Sequence, residues 1–387
     1  MPRPLPTPRP QSRRQFLGRS GMALGGLALG PAFLAACGED SSSEADGPVT
    51  QDTKNLYFAN WPAYIDEETV ALFEEASGIK LRYTEEYNDN NEYFAKIQPL
   101  LSKGNAIEPD IIAPTFWMAG RLIELGWVEA LPVAKVPNVK NLRADLQSPT
   151  WDPTGEFSLP WQSGFAGIAY NRTVTGRDLG SMDDLWDPAF SGKIGVLTEM
   201  RDTLGLIAKS LDIDISEPTA EKLQPALDLL QEKVDAGQIK QFTGNDYMDD
   251  LSQGNFAACI GWSGDIAQLR KDNEALDFVI PESGGTLWSD TMVIPKGSDG
   301  IDAAAAFMDY VYDPVNAARI TAYVQYYSPV EGVVDELRRL GGEAAEVADN
   351  PLVFPTEESA KRLSSFGQLS EDDEATLEAA FSRIQGN

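Results

Sequence analysis

The chain has 387 residues, carries 31 Lys+Arg against 60 Asp+Glu for a formal charge of −29, and contains no histidine. Single cores stop growing at roughly 250–300 residues, so two domains or lobes are expected. Without histidine there is no Ser-His-Asp or Cys-His apparatus and no imidazole-ligated zinc, and two cysteines alone cannot hold an iron–sulfur cluster. No motif calls for a cofactor or a metal. The acidity opposes binding to nucleic acid, which needs clustered Lys and Arg, and favours cationic or neutral partners. An acidic surface that only maintains solubility would have the same composition. At 42% hydrophobic and 24% charged residues, the composition is that of a globular protein.

Residues 1–36 carry five Arg and no acidic residue. Their core is Ser12-Arg13-Arg14-Gln15-Phe16-Leu17, followed by an uncharged stretch from Ser20 to Ala36 and the closing sequence Leu34-Ala35-Ala36-Cys37. A basic start, a short apolar run and small residues before a cut site make a secretory signal. The stretch is too short and too broken by Gly and Pro31 for a spanning helix, which needs about 20 apolar residues. The arginine pair resembles a twin-arginine export signal, and the segment ending at Cys37 resembles a bacterial lipobox, in which the cysteine is acylated after cleavage. Residues 37–53, rich in Ser, Asp and Gly, read as a flexible tether. The remaining thiol, Cys259, lies in the apolar run Phe256–Ile260 and reads as buried and inert.

From Lys54 onward strands alternate with helices. Asn55–Phe58 reads as a strand, and Asp66 caps a helix bearing Val70, Phe73 and Ala76 that stops at Gly78. A second strand spans Ile79–Tyr83. Phe94, Ile97 and Leu101 mark a helical face, Asp110–Ala113 a buried strand, and Met118, Leu122 and Leu125 another helix. The pattern resumes after Trp161 with strands at Gly167–Tyr170 and Lys193–Leu197. A helical stripe at Leu223, Leu227, Leu230 and Val234 follows, then strands at Ala257–Gly261, Asp277–Ile280 and Met292–Ile294, and helices near 301–312 and 314–324. This alternation argues for α/β layers with covered sheets.

Three tryptophans stand at or near strand ends: Trp61 in Ala59-Asn60-Trp61-Pro62-Ala63-Tyr64, Trp262 before Ser263-Gly264-Asp265, and Trp288 in Gly284–Asp290. Ligands gather outside the carboxyl ends of strands in α/β sheets, so the three together suggest an aromatic-walled cleft, although each alone is also the kind of residue that plugs a core. Glu199 and Asp202 follow a strand and share the first turn of any helix that begins there, where acids also complement the helix dipole. Arg201 between them is placed to tie up either one. Asp290 lies two residues after Trp288, on the same side of an extended chain. An acid beside an aromatic face suits an alkylammonium ion.

The segments Leu56-Tyr57-Phe58-Ala59-Asn60-Trp61, Gly284-Gly285-Thr286-Leu287-Trp288-Ser289-Asp290 and Ile260-Gly261-Trp262-Ser263-Gly264 resemble bacterial spermidine/putrescine-binding proteins. Asp183–Trp186 with Gly192–Ile194 resembles extracellular solute-binding proteins generally. The resemblance runs from about Leu56 to Tyr327. It implies an α/β, two-lobed class II periplasmic-binding-protein fold. Lobe 1 would comprise 54–160 plus 290–335 and lobe 2 161–289 plus 336–387, with crossings near Pro160–Ser163 and Gly284–Asp290. It further implies a non-enzymatic receptor that takes a polyamine, is anchored by lipid at Cys37 on the outer face of the cytoplasmic membrane, works as a monomer and delivers its solute to an ABC permease. The implied ligand-binding residues are Trp61, Tyr64, Glu199, Asp202, Trp262, Trp288, Asp290 and Tyr327. A different solute in the same scaffold (a sugar, amino acid or opine) is the nearest alternative; an exported glycosidase using paired carboxylates is a remoter one.

Overall fold

The computed structural model describes residues 52–147 and 149–386. The expected export signal, Cys37 and the expected tether up to Gln51 lie outside the described residues. The tether's last residues are already tied down. The Asp52 amide donates to the Asp299 carbonyl, and the Asp52 carboxylate accepts from the amides of Lys54 and Asn55.

Among the described residues ten strands form one mixed sheet. They are β1 (Asn55–Asn60), β2 (Lys80–Glu85), β3 (Ile111–Ile112), β4 (Ser158–Asn171), β5 (Ile194–Leu197), β6 (Ile239–Thr243), β7 (Ala258–Trp262), β8 (Leu276–Val279), β9 (Gly285–Val293) and β10 (Leu363–Ser365). The order is β2-β1-β3-β9-β4-β7-β5-β6, with β10 added to β9 and β8 to β4. Two parallel sets result: β1 pairs in parallel with β2 and β3, and β5 with β6 and β7. The long antiparallel strands β4 and β9 join them. Ser158 faces Val293 at one end of the ladder and Ala166 faces Thr286 at the other, with a register shift between Pro160 and Gln162. At the Val293 end β9 meets β3; at the Gly285 end it meets β10, while the later half of β4 meets β7 and β8. The fold is thus a two-lobed α/β arrangement in which two shared strands serve both parallel sets.

Local chemistry explains the elements that hold this frame. Asp66 caps the helix Glu67–Ser77 by accepting from the Thr69 amide at 2.7 Å, and Gly78 ends it at φ 73°. Phe94, Ile97 and Leu101 are the buried stripe of the helix Asn90–Leu101, and Leu223, Leu227 and Leu230 that of Ala220–Asp235. Each such side chain contributes roughly 1.5–3 kcal/mol on full burial. In the helix Phe116–Glu124, Met118 and Leu122 are buried but Leu125, past its end, is 45% exposed. The C-terminal region divides. Helices Val333–Leu340 and Gly342–Val347 pack on Pro314–Val324, whereas β10 joins β9 and the helix Glu371–Gln385 packs on Ala220–Asp235. Cys259 is fully buried in β7, and burial pushes its thiol up.

Candidate functional site

The carboxyl ends of β1 and β7, the starts of three helices and the middle of β9 converge on a narrow cavity that is partly open to solvent. Trp61, Tyr64, Glu199, Asp202, Trp262, Trp288 and Asp290 all line it. Tyr327 does not: its backbone bridges Ser163, its ring lies 5.9 Å from Phe354, and the Arg143 guanidinium sits over it. The neighbouring Tyr326 lines the cavity instead. The chain bends at Tyr326 before Tyr327 bridges Ser163, so the two adjacent tyrosines face different surroundings and a one-residue error exchanges the inside residue for the outside one.

Trp61 is fixed by its indole N–H, which donates to the Ala113 carbonyl at 2.8 Å, and its ring lies 4.9 Å from that of Tyr87. The turn after β1 takes Ala63 to φ 55°, where the Ala63 amide donates to Glu85, and this turn delivers Tyr64 beneath Asp290. Trp288 and Tyr326 meet at 5.1 Å. Gly164, opposite Trp288 on β4, makes their approach possible, because a Cβ there would come within 2.6 Å of the indole and 2.9 Å of the phenol ring.

Four buried carboxylates share the lining, and each is supplied with donors. Asp290 accepts from the Tyr64 hydroxyl at 2.9 Å and the Thr115 hydroxyl at 2.7 Å. Asp202 accepts from the Trp262 indole at 2.8 Å and the Thr286 hydroxyl at 2.6 Å. Both the amide and the side-chain nitrogen of Asn90 donate to Glu199, at 3.0 and 2.8 Å. Asp265, the fourth, accepts from Tyr326 at 2.7 Å and from Tyr247 and Asn245 at 2.9 Å. Asn90 also donates to Thr115 at 2.8 Å, so Glu199, Asn90, Thr115 and Asp290 form one chain of hydrogen bonds.

Burial dominates the electrostatics. It pushes Glu199 up to about 8, helped by the negative charge of Asp89 and opposed by Asn90. It pushes Asp290 up to about 7 against the Thr115 and Tyr64 donors, and Asp265 up to about 6 against its three donors. Asp202 is also raised by burial. Among the described residues Arg201 is the only cation in the lining; its charge opposes the rise of Asp202, but its hydrogen bond and ring contact are made elsewhere. Its guanidinium donates to Glu374 at 2.9 Å and stacks over Trp117 at 3.8 Å. The cavity therefore has an excess of desolvated acid beside aromatic faces. It favours a ligand that brings positive charge and apolar chain.

Several lining residues were not singled out from the sequence. Asp265 carries the most informative missed signal: it stands three residues after Trp262 at the start of the helix Ser263–Leu269, as Asp202 stands three after Glu199. Thr115 supplies a hydroxyl from the loop after β3, within Pro114-Thr115-Phe116. As the N-cap of the helix Phe116–Glu124 it makes no side-chain capping bond, its hydroxyl being given to Asp290.

Two parallel β sets joined by shared strands, with a cavity where their carboxyl ends face, define a receptor architecture for small solutes. A family model described as bacterial extracellular solute-binding protein matches residues 68–356, and the chain belongs to that family. It is 27% identical to the putrescine-binding periplasmic protein SpuD of Pseudomonas aeruginosa, over 86% of this chain and 92% of the relative. It is 23% identical to the spermidine/putrescine-binding periplasmic protein of Escherichia coli, over 88% and 90%. Among solved structures it resembles the spermidine/putrescine ABC transporter substrate-binding protein of Streptococcus pneumoniae, with a TM-score of 0.70 and 26% identity over 86% of this chain and 99% of that one.

Proposed function

We propose that this protein is a polyamine receptor, taking putrescine- or spermidine-like cations in the cavity and presenting them to an ABC permease. The observation that carries the reading is four buried carboxylates in one aromatic-lined cavity whose single cation is committed to Glu374. The negative charge that donors and bound protons leave uncompensated is met by a ligand that carries ammonium groups, and its methylenes would lie against Trp61, Trp262 and Trp288. The names of the relatives point the same way. Asp290 and Asp265 are the leading ammonium partners, with Tyr64 and Tyr326 orienting them.

The lobes are assigned by this reading as 54–160 with 290–335 and 161–289 with 336–387, the chain crossing along β4 and β9. The packing of Val333–Val347 against Pro314–Val324 favours moving the last crossing to beyond Val347. Anchoring by lipid at Cys37 follows from Leu34-Ala35-Ala36-Cys37. Cys37→Ser should move the protein from the membrane to the soluble fraction; unchanged fractionation would remove the anchor.

The deciding experiment is a calorimetric panel of putrescine, spermidine, spermine, maltose and glycine betaine. Tight binding of one or more polyamines and none of the neutral or zwitterionic solutes is expected. Tight binding of maltose or betaine, with no polyamine bound, would leave the receptor fold and overturn the ligand.

A further inference from the structure

Tyr247 does not line the cavity, yet it touches two residues that do. It is fully buried at the start of the helix Tyr247–Ser252. Its hydroxyl donates to Asp265 at 2.9 Å and accepts the backbone N–H of Trp262 at 3.0 Å, and its ring stands edge-on to Trp262 at 5.8 Å. A phenol hydroxyl has one proton to donate, and here both its donor and acceptor roles are taken by site residues. The neighbouring Gly261 leaves the space it needs, since a Cβ there would come within 2.9 Å of the Tyr247 ring.

We propose that Tyr247 is a positioning residue of the ligand site, holding the Asp265 carboxylate in its ionised, amine-binding form and fixing the end of β7 that carries Trp262. The physical reason is desolvation. A carboxylate buried this deeply favours its protonated form unless donors hold the charge, and a protonated Asp265 offers an ammonium no counter-charge. Asn245 and Tyr326 donate to the same carboxylate from the loop before Tyr247 and from beyond the helix Pro314–Val324. Asp290, Tyr64 and Cys259 also feel the Asp265 charge. Tyr247 differs from Asn245 and Tyr326 in having no face on the cavity. It can act on ligand only through Asp265 and Trp262.

The test uses Tyr247→Phe, which removes one oxygen. In the ligand-free protein the Asp265 carboxyl carbon is titrated by NMR; its midpoint should rise in Y247F. The binding arm, which rests on the polyamine reading, measures putrescine and spermidine affinity from pH 5 to 9. Y247F should weaken binding by about tenfold near pH 6–7, from the loss of one hydrogen bond to a charged group, with the deficit shrinking towards pH 9. In an Asp265→Asn background the same change should cost much less. A deficit equal at every pH and undiminished in D265N, with an unmoved Asp265 midpoint, is what a merely structural tyrosine would give and would overturn the proposal. If the parent binds neither amine, the polyamine reading fails while the ligand-free titration still decides Tyr247. If Y247F does not fold, 3-fluorotyrosine at position 247 keeps the shape and strengthens the donor. The Asp265 midpoint should then fall, and an unchanged midpoint would overturn the assignment.

Discussion

Asp290 and Glu199 sit at opposite ends of one hydrogen-bond chain, and their surroundings differ in kind. Asp290 is held by two hydroxyls, Tyr64 and Thr115, one on each carboxylate oxygen. Hydroxyls can rotate, and each oxygen keeps acceptor capacity for an incoming ammonium. Glu199 is held through a single oxygen by the amide and side chain of Asn90, at the start of the helix Asn90–Leu101, and lies in the field of Asp89. Those N–H donors act as fixed structural ties, and burial beside a second acid favours a proton on Glu199 at neutral pH. On the polyamine reading proposed above, two acids in one cavity divide their work: Asp290 is set to meet a cation, while Glu199 ties the helix Asn90–Leu101 to the helix Met200–Ser210.

The sharpest way to break this contrast is to neutralise each acid in turn. Removing one member of a buried charge pair costs roughly 2–5 kcal/mol. Asp290→Asn should therefore weaken polyamine binding by about 30-fold or more, since about 1.4 kcal/mol is tenfold. Glu199→Gln keeps the shape and an acceptor for Asn90, and should cost no more than about fivefold. Calorimetry of both variants at pH 7 measures this. Equal losses would abolish the distinction, and a larger loss in E199Q would reverse it.

Thr115 joins the two acids, so it tests the link between them. Thr115→Val preserves shape while removing the donor to Asp290 and the acceptor of Asn90. A hydrogen bond to a charged group is worth roughly 1.5–3 kcal/mol, so about tenfold weaker binding at pH 7 is expected. The loss should shrink at higher pH, where Asp290 ionises without help. A pH-independent loss would mean that Thr115 acts by packing alone.

Protons report the same design at a smaller scale. Burial raises Glu199 to about 8, Asp290 to about 7 and Asp265 to about 6, whereas the same groups in an unfolded chain titrate near ordinary carboxyl values. Between about pH 4.5 and 8 the folded state thus holds more protons than the unfolded one, and the stability these groups contribute is lost as pH rises through that window. The ligand-free melting temperature should fall by a few degrees between pH 5 and 8. A bound polyamine should reverse part of that fall and release protons, read in calorimetry as an enthalpy that depends on the buffer. A melting temperature that rises over this range would contradict the burial of these acids.

How much of this was legible in the sequence depends on which signal each residue left. Strand–helix alternation and the caps at Asp66 and Gly78 are local, so they read directly. The two-lobed fold and most of the cavity residues are implied by a family resemblance carried in short Trp- and acid-containing segments, in one of which Trp288 and Asp290 fall in the middle of a strand. β6 and β10 escaped notice: Lys240 and Gln241 interrupt the first, and the second is three residues long. The C-terminal helices are too polar to announce themselves; four acids fill the first turn of Glu371–Gln385. Asp265 was visible as a letter beside Trp262, but its partnership with Tyr247, Asn245 and Tyr326 joins segments up to 61 residues apart. Such contacts leave no periodic trace.

The Tyr326-Tyr327 pair shows the limit most plainly and supports the finest prediction. Both residues are tyrosines in the short connection after Gln325, whose φ of 59° ends the preceding helix; Tyr326 lies at a bend and Tyr327 bridges Ser163. Sequence alone cannot say which one faces inward, because that is set by where the helix stops and the chain bends. In the structure the Tyr326 hydroxyl donates to Asp265 and accepts the Asp265 amide, so both of its roles belong to the site. The Tyr327 ring packs against Phe354 and under Arg143, away from the cavity. Tyr326→Phe should weaken polyamine binding by about fivefold to tenfold and raise the acid limb of its pH profile, since Asp265 loses a donor. Tyr327→Phe retains the ring contacts and should leave binding within about twofold of the parent. The two variants differ by one oxygen at adjacent positions, so size, composition and helix propensity are matched. Equal losses in both would mean that the orientation of this segment in the ligand-bound protein differs from that described here.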